Sequence, residues 1–261
     1  MNIILFDTPQ ARKALRPFSH TRALAKMRIG IVTIEEKWQH YLPGTYSFLT
    51  APYLSKKFPC VEAAENLCIN STICPDEKLV AAIKRLTLNQ KLIKDDTVIA
   101  MLCDQAALNE LKVYGLNHPH LVKVDFDGVL SQLNHKWDFF LNNAQELQKD
   151  FAWMGKSSQG VQDEHTICYN SQAIFLGEGV STKAAILNAE EGPIYIDKHA
   201  ILHEGAIIKG PVAIGEAAQV NAGARISHAT TIGPYAKVGG EVSNSIIMGY
   251  SNKAHDGFMG N

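Results

Sequence analysis

The chain has 261 residues, 46% of them hydrophobic and 20% charged, with a formal net charge of -1. This balance suits one large or two ordinary globular domains and excludes a nucleic-acid binder that works through a strong basic field. No apolar run reaches the length of a membrane span, so neither nucleic acid nor a membrane is expected as a partner.

The start, MNIILFDTPQ, lacks the basic and long apolar regions of a secretory signal. The five cysteines, Cys60, Cys68, Cys74, Cys103 and Cys168, are odd in number and show no CxxC spacing, which points to reduced thiols and a cytoplasmic location. Two apolar runs, NIILF (2–6) and TVIAML (97–102), read as buried parallel strands, with LVKV (121–124) as a weaker third. Between them PDEKLVAAIKRLTLNQKL (75–92) opens on Pro75 and Asp76 and predicts a helix. A second helix is predicted over 133–151, with Leu133, Trp137, Phe140, Leu141 and Ala144 on its apolar side. Strands alternating with helices give an α/β domain over 1–155 with a mainly parallel sheet, followed by a Gly/Ser-rich linker over 156–166.

From 167 to 261 the pattern changes. Ile196, Leu202, Ile208, Ile214, Val220, Ile226, Ile232 and Val238 recur every six residues. If such residues fill about a quarter of positions, eight hits in one register arise by chance on the order of once in 100,000. Four residues after the first seven come Ala200, Ala206, Val212, Ala218, Ala224, Thr230 and Ala236, nearly all small. Cys168, Ile174, Val180 and Ile186 hold the same spacing earlier. Neither a helix nor a simple strand has a period of six; three short strands per turn of a left-handed parallel β-helix do, with the large residue inside and the small one near a corner. The repeat still runs at Val238 and no capping segment follows, so the coil is expected to be cut before it closes.

An α/β domain followed by hexapeptide repeats resembles the bifunctional sugar-1-phosphate nucleotidyltransferase and acetyltransferase family. The opening, with LRPFSHTRALA after its first strand, looks most like a compact branch whose first domain is shortened. The resemblance implies two reactions. The first joins a sugar-1-phosphate to a nucleoside triphosphate with release of pyrophosphate. It implies Mg²⁺ at Asp104, the carboxylate that ends TVIAMLCD. An N-cap role for Asp104 is the alternative, and Asp125 or Asp127 could add a second carboxylate. The family's glycine-rich phosphate loop is absent from FDTPQARKALRPF; among the basic residues Arg12, Lys13, Arg16, Arg22, Lys26 and Arg28, the choice for phosphate binding is Arg16, Arg22 and Lys26. A solvated basic helical face is the alternative for these.

The second reaction is acyl transfer from acetyl-CoA, for which the family carries a histidine base after a lysine-alanine pair. Lys253-Ala254-His255 followed by Phe258-Met259-Gly260-Asn261 matches in part, so His255 and Lys253 are the catalytic candidates. Asn221, Lys237 and Asn261 are the acceptor-binding candidates. Asn221 stands where the family has a phosphate-gripping arginine, and Ser243 where it has a lysine, which counts against glucosamine-1-phosphate as acceptor. A homotrimer through the β-helix is implied. Two alternatives stand beside this assignment: an acyltransferase whose first domain only binds a nucleotide or nucleotide-sugar, and a non-catalytic trimeric scaffold.

Overall fold

A computed structural model of the chain describes residues 1–114, 121–155, 158, 160 and 162–260. The chain forms two compact units: Met1–Met27 with Thr33–Lys136, and Arg28–Val32 with Trp137–Asn261. No described helix is long and apolar enough to cross a membrane.

In chain order the first elements are β1 (Asn2–Phe6), α1 (Pro9–Ala14), β2 (Arg28–Ile29), β3 (Val32–Thr33), α2 (Ile34–Tyr41) and β4 (Thr45–Leu49). They are followed by β5 (Glu65–Asn70), β6 (Ile73–Cys74), α3 (Glu77–Ile83), β7 (Gln90–Lys94), β8 (Thr97–Asp104), α4 (Gln105–Tyr114), β9 (Val122–Asp125), β10 (Ser131–Gln132) and α5 (Asp138–Met154). The first unit is built on a sheet of order β4-β1-β5-β8-β7-β9. Ile4, Phe6, Cys68, Met101 and Cys103 pack one of its faces against Leu108 and Leu111 of α4. Thr8 caps α1 by accepting from Ala11 N, with Pro9 in the first turn where its missing N–H costs nothing.

Three expectations change here. The run TVIAML is a buried strand, but β8 pairs antiparallel with both β5 and β7, so the sheet is mixed, with β8 the one strand running against the rest. The helix expected over 75–92 stops at Ile83, capped by Asp76 at Leu79 N (2.8 Å). Asn89 then takes the left-handed region (φ 63), and Gln90–Lys94 is β7. Helical spacing of apolar residues carried the expectation past a break that backbone conformation imposes. The expected apolar side of α5 holds only in part: Leu133, ahead of the helix, is buried and Ala144 packs against the cluster around Leu147, but Leu141 is 64% exposed and Trp137, just before the helix, is 49% exposed. Its buried face is Phe139, Asn143, Glu146, Leu147 and Asp150.

The reason lies in the second unit, where α5 meets the backbone of the Arg28–Val32 segment. Asn143 Oδ1 accepts from Gly30 N (2.7 Å), and Asp150 Oδ2 accepts from Ile31 N (2.8 Å). Gly30 needs to be glycine twice over, for its φ of +72 and because a Cβ there would run into the Asp150 carboxylate. Buried backbone N–H groups demand acceptors, so a polar helix face is turned inward.

The β-helix consists of three all-parallel sheets. The eight residues from Ile196 to Val238 at spacing six are each 0% exposed, and the seven small residues after them are also buried. The early register is different from expectation. Cys168 pairs with Leu187 and holds its expected inward place, but Leu176 pairs with Ile196, so Leu176 and Leu187 are inward where Ile174 and Ile186 were expected. Ile186 pairs with Ile207 on the outer face, and the bridge of Ser181 to Ile201 puts Val180 opposite Ala200, a small-residue position. One outer face is covered by α5: Tyr195 and Ala213 cluster with Leu147, Ile31 and Val32. Of the expected linker, Asp163 and Thr166 bond to Thr182 in the first coil.

Candidate functional site

The first unit holds a cleft of about 820 Å³. Phe6 and Asp7 reach it from the end of β1, Leu49 and Thr50 from the end of β4, and Asn70 and Thr72 from the end of β5. These are carboxyl ends of parallel strands, where open α/β sheets bind ligands. The reversed β8 contributes its opposite end, Thr97 and Val98, together with Asp96 of the preceding turn.

The loop from β1 into α1 is held by one ion pair. Arg12 Nη1 donates to Asp7 Oδ2 (2.7 Å), Thr50 Oγ1 (3.0 Å) and the Arg22 carbonyl (3.2 Å). Its Nη2 donates to Tyr53 Oη (2.9 Å) and to the Ser19 carbonyl. Asp7 also accepts from Thr50 Oγ1 (2.5 Å) and from Leu24 N (3.2 Å), and its side chain is 0% exposed. Burial pushes the Asp7 carboxyl above its ordinary range, against the bonds from Thr50 and Arg12 that favour its charge. No glycine is needed, because side chains tie the loop down in place of phosphate-cradling backbone.

None of the three cations chosen from the sequence lines the cleft. Arg16 is exposed, Arg22 contributes its carbonyl to Arg12, and Lys26 pairs with Glu35 and lies 5.1 Å from the Phe48 ring centroid. Asp104 does end a buried strand. Because that strand is reversed, Asp104 pairs with Glu65 at the start of β5, at the sheet edge away from the cleft. Its Oδ1 accepts from Ala107 N (2.8 Å) as the cap of α4, and its Oδ2 accepts from Asn89 Nδ2 (3.2 Å). Asp104→Ala is therefore expected to cost about 1 kcal/mol as a lost cap, read as a lower Tm, and to leave any Mg²⁺-dependent Tm shift unchanged. Asp125 and Asp127 line a separate hollow with Lys78 and Arg85, and Asp127 pairs with Lys78 (3.1 Å).

The residues that sequence reasoning passed over are Asp7, Asn70, Thr72, Asp96 and Gln132. The strand-end rule applied to NIILF alone would have found Asp7, the residue that follows it.

In the β-helix, Asn221, Lys253 and His255 meet at one corner. Asn221 Nδ2 donates to the Ala254 carbonyl (2.8 Å). Lys253 lies opposite Val238 on the inward line, and its ammonium donates to the carbonyls of Gly239 (2.6 Å), His255 (2.9 Å) and Gly257 (2.9 Å). The Lys253 ammonium is thus directed at backbone carbonyls. His255 is exposed, and Lys237 projects outward on a neighbouring strand. Asn261 lies outside the described residues.

The fold defines a two-unit protein: an open α/β sheet with a cleft at the carboxyl ends of its parallel strands, and a parallel β-helix. Residues 3–159 match the family model described as sugar nucleotidyl transferase, and the chain belongs to that family. It is therefore a transferase of the nucleotidyl-transferring kind. No curated protein matches the chain.

Proposed function

We propose that the chain joins a sugar-1-phosphate to a nucleoside triphosphate in the cleft of the first unit. The observation that carries this is the cleft's position at the carboxyl edge of the sheet, within the residues the family model covers. An oxygen of the sugar phosphate forms a bond to the α-phosphorus, the bond from that phosphorus to the bridging oxygen breaks, and pyrophosphate leaves with the bonding electrons. The Asp7–Arg12 brace ties down the loop at the cleft, and Asn70 and Thr72 are held to each other in its lining.

Mg²⁺ keeps several waters and needs few protein carboxylates. Among the described lining residues two are carboxylates: Asp7 is enclosed by its partners, whereas Asp96 is exposed. Asp96 is thus the residue that would hold the ion, which when bound offsets the charge of the triphosphate. Pyrophosphate release, measured with UTP or dTTP and a panel of sugar-1-phosphates, tests the assignment. Asp96→Asn is expected to lower the rate at least about tenfold and to raise the Mg²⁺ requirement. A folded wild-type chain that releases no pyrophosphate with any pair would overturn it.

The β-helix is proposed to carry acyl transfer from acetyl-CoA, with His255 as base. His255 is exposed next to Ala254, whose carbonyl holds Asn221, while the Lys253 ammonium is engaged by backbone carbonyls, which supports His255 over Lys253. The homotrimer and the cytoplasmic location remain part of the proposal, the latter supported by five free cysteines. If CoA is released without pyrophosphate, the first unit serves as a nucleotide or nucleotide-sugar binding module. Silence in both assays from a folded trimer would favour a scaffold.

A further inference from the structure

A chain of neutral groups crosses the cleft floor. Asn70 Nδ2 donates to the Val98 carbonyl (3.1 Å), and its Oδ1 accepts from Thr72 N (3.1 Å) and Thr72 Oγ1 (2.9 Å). Gln132 Nε2 then donates to Thr72 Oγ1 (3.2 Å). Asn70 is 5% exposed and Thr72 is 1% exposed, and both line the cleft together with Gln132. Each link orients the next. The amide of Asn70 is set by the Val98 carbonyl, the Thr72 hydroxyl hydrogen is spent on Asn70, and the lone pair left on Thr72 fixes the Gln132 nitrogen toward it.

The charges around this relay are sparse. Lys112 is the one cation among the described lining residues, and its ammonium sits on Glu62. Arg12 is occupied by Asp7, Thr50 and backbone carbonyls. Phosphate oxygens are only acceptors and call for cations or N–H groups. Sugar hydroxyls both donate and accept, and amide and hydroxyl side chains match them on both counts.

We propose that the relay Asn70–Thr72–Gln132 is the specificity device of the cleft. Gln132 reads an uncharged hydroxyl of a sugar ring, and Thr72 and Asn70 act as positioning residues. The phosphate charge of the ligand would be offset by a bound divalent cation rather than by the described lining side chains. The inference rests on assigning nucleotidyl transfer to this cleft.

The test uses the full chain and three probes: N-acetylglucosamine and glucose by saturation-transfer NMR, and UTP by thermal shift with MgCl₂ or with EDTA. At least one neutral sugar is expected to bind wild type with an affinity that does not change with NaCl. Gln132→Ala is expected to weaken it about tenfold, and Thr72→Val by a comparable factor. The double variant should lose little more than either single one, because Thr72 acts through Gln132. A role in stability alone would lower Tm without that non-additivity. UTP is expected to raise Tm with MgCl₂ and not with EDTA.

No binding of either sugar to wild type, unchanged sugar binding in a folded Gln132→Ala chain, additive losses, or an equal UTP shift in EDTA would each overturn the proposal. Pyrophosphate release separates the two ideas. Turnover with an unchanged sugar-1-phosphate KM in Gln132→Ala removes the relay's role and keeps nucleotidyl transfer. Relay-dependent sugar binding without pyrophosphate from any pair keeps the relay and removes nucleotidyl transfer.

Discussion

Arg12→Met is expected to cost about 3–5 kcal/mol of folding stability, because it strands the Asp7 carboxylate in a site that excludes water. The side chains of Arg12 and Asp7 are 12% and 0% exposed, so solvent cannot replace the lost partner. Four further contacts go with it: the Ser19 and Arg22 carbonyls and the Thr50 and Tyr53 hydroxyls. Denaturation of the full chain, followed by hydrogen exchange of amides in α1 and β1, measures the effect.

The penalty also has a sign with pH. Burial already holds Asp7 above its ordinary value of 3.8. A carboxyl raised on folding contributes stability that is complete below the unfolded value and is lost as pH climbs through the folded one. In the variant the favourable charge of Arg12 is gone and the shift grows. The cost should therefore shrink as pH is lowered from neutral and Asp7 takes up a proton. A loss under about 1 kcal/mol, or one that grows on acidification, would contradict this account.

Ile226→Ala is the second large effect, about 2–5 kcal/mol by loss of buried methylenes and the cavity left behind. Ile226 is 0% exposed and lies in register between Ile208 and Val242 on the inward line of one sheet. A coil contacts mainly its neighbours, so the loss should be read most strongly in amide exchange of the adjacent coils. Its neighbour Arg225 points outward to Glu241, with side chains 65% and 42% exposed, and Arg225→Ala should stay within about 0.5 kcal/mol. Equal effects at the two positions would rule out the inward assignment.

The two halves of the chain differed in legibility for a physical reason. In the β-helix one rule, large inside and small at the corner, repeats with every strand, so Ile196 to Val238 could be placed from spacing alone. The rule failed before NAEEGP, where the coil's loop length changes and apolar residues such as Ile186 face outward. In the α/β unit, composition identified NIILF and TVIAML as strands but carried no sign of direction. Apolar runs look the same in parallel and antiparallel order, and direction alone moved Asp104 to the edge away from the cleft. The polar face of α5 was hidden similarly, since Asn143 and Asp150 serve backbone groups more than a hundred positions away. Arg12 stood in plain view among six basic residues, and only the fold distinguishes a guanidinium held by Asp7 from one in solvent.

The reversed strand also limits how the cleft can evolve. Along β1, β4 and β5 the rim is made of strand-to-helix loops and other connections, which tolerate change in length. On the β8 side it is the turn Asp95–Asp96 between paired strands, with Asp95 in the left-handed region (φ 50). A residue inserted there must slip the pairing of Lys94 with Thr97 or bulge the strand, and a slip by one sends Val98 and the residues after it to the other face. New ligand preferences can be gained by lengthening one rim of the cleft, whereas on the other substitution in place disturbs the pairing least.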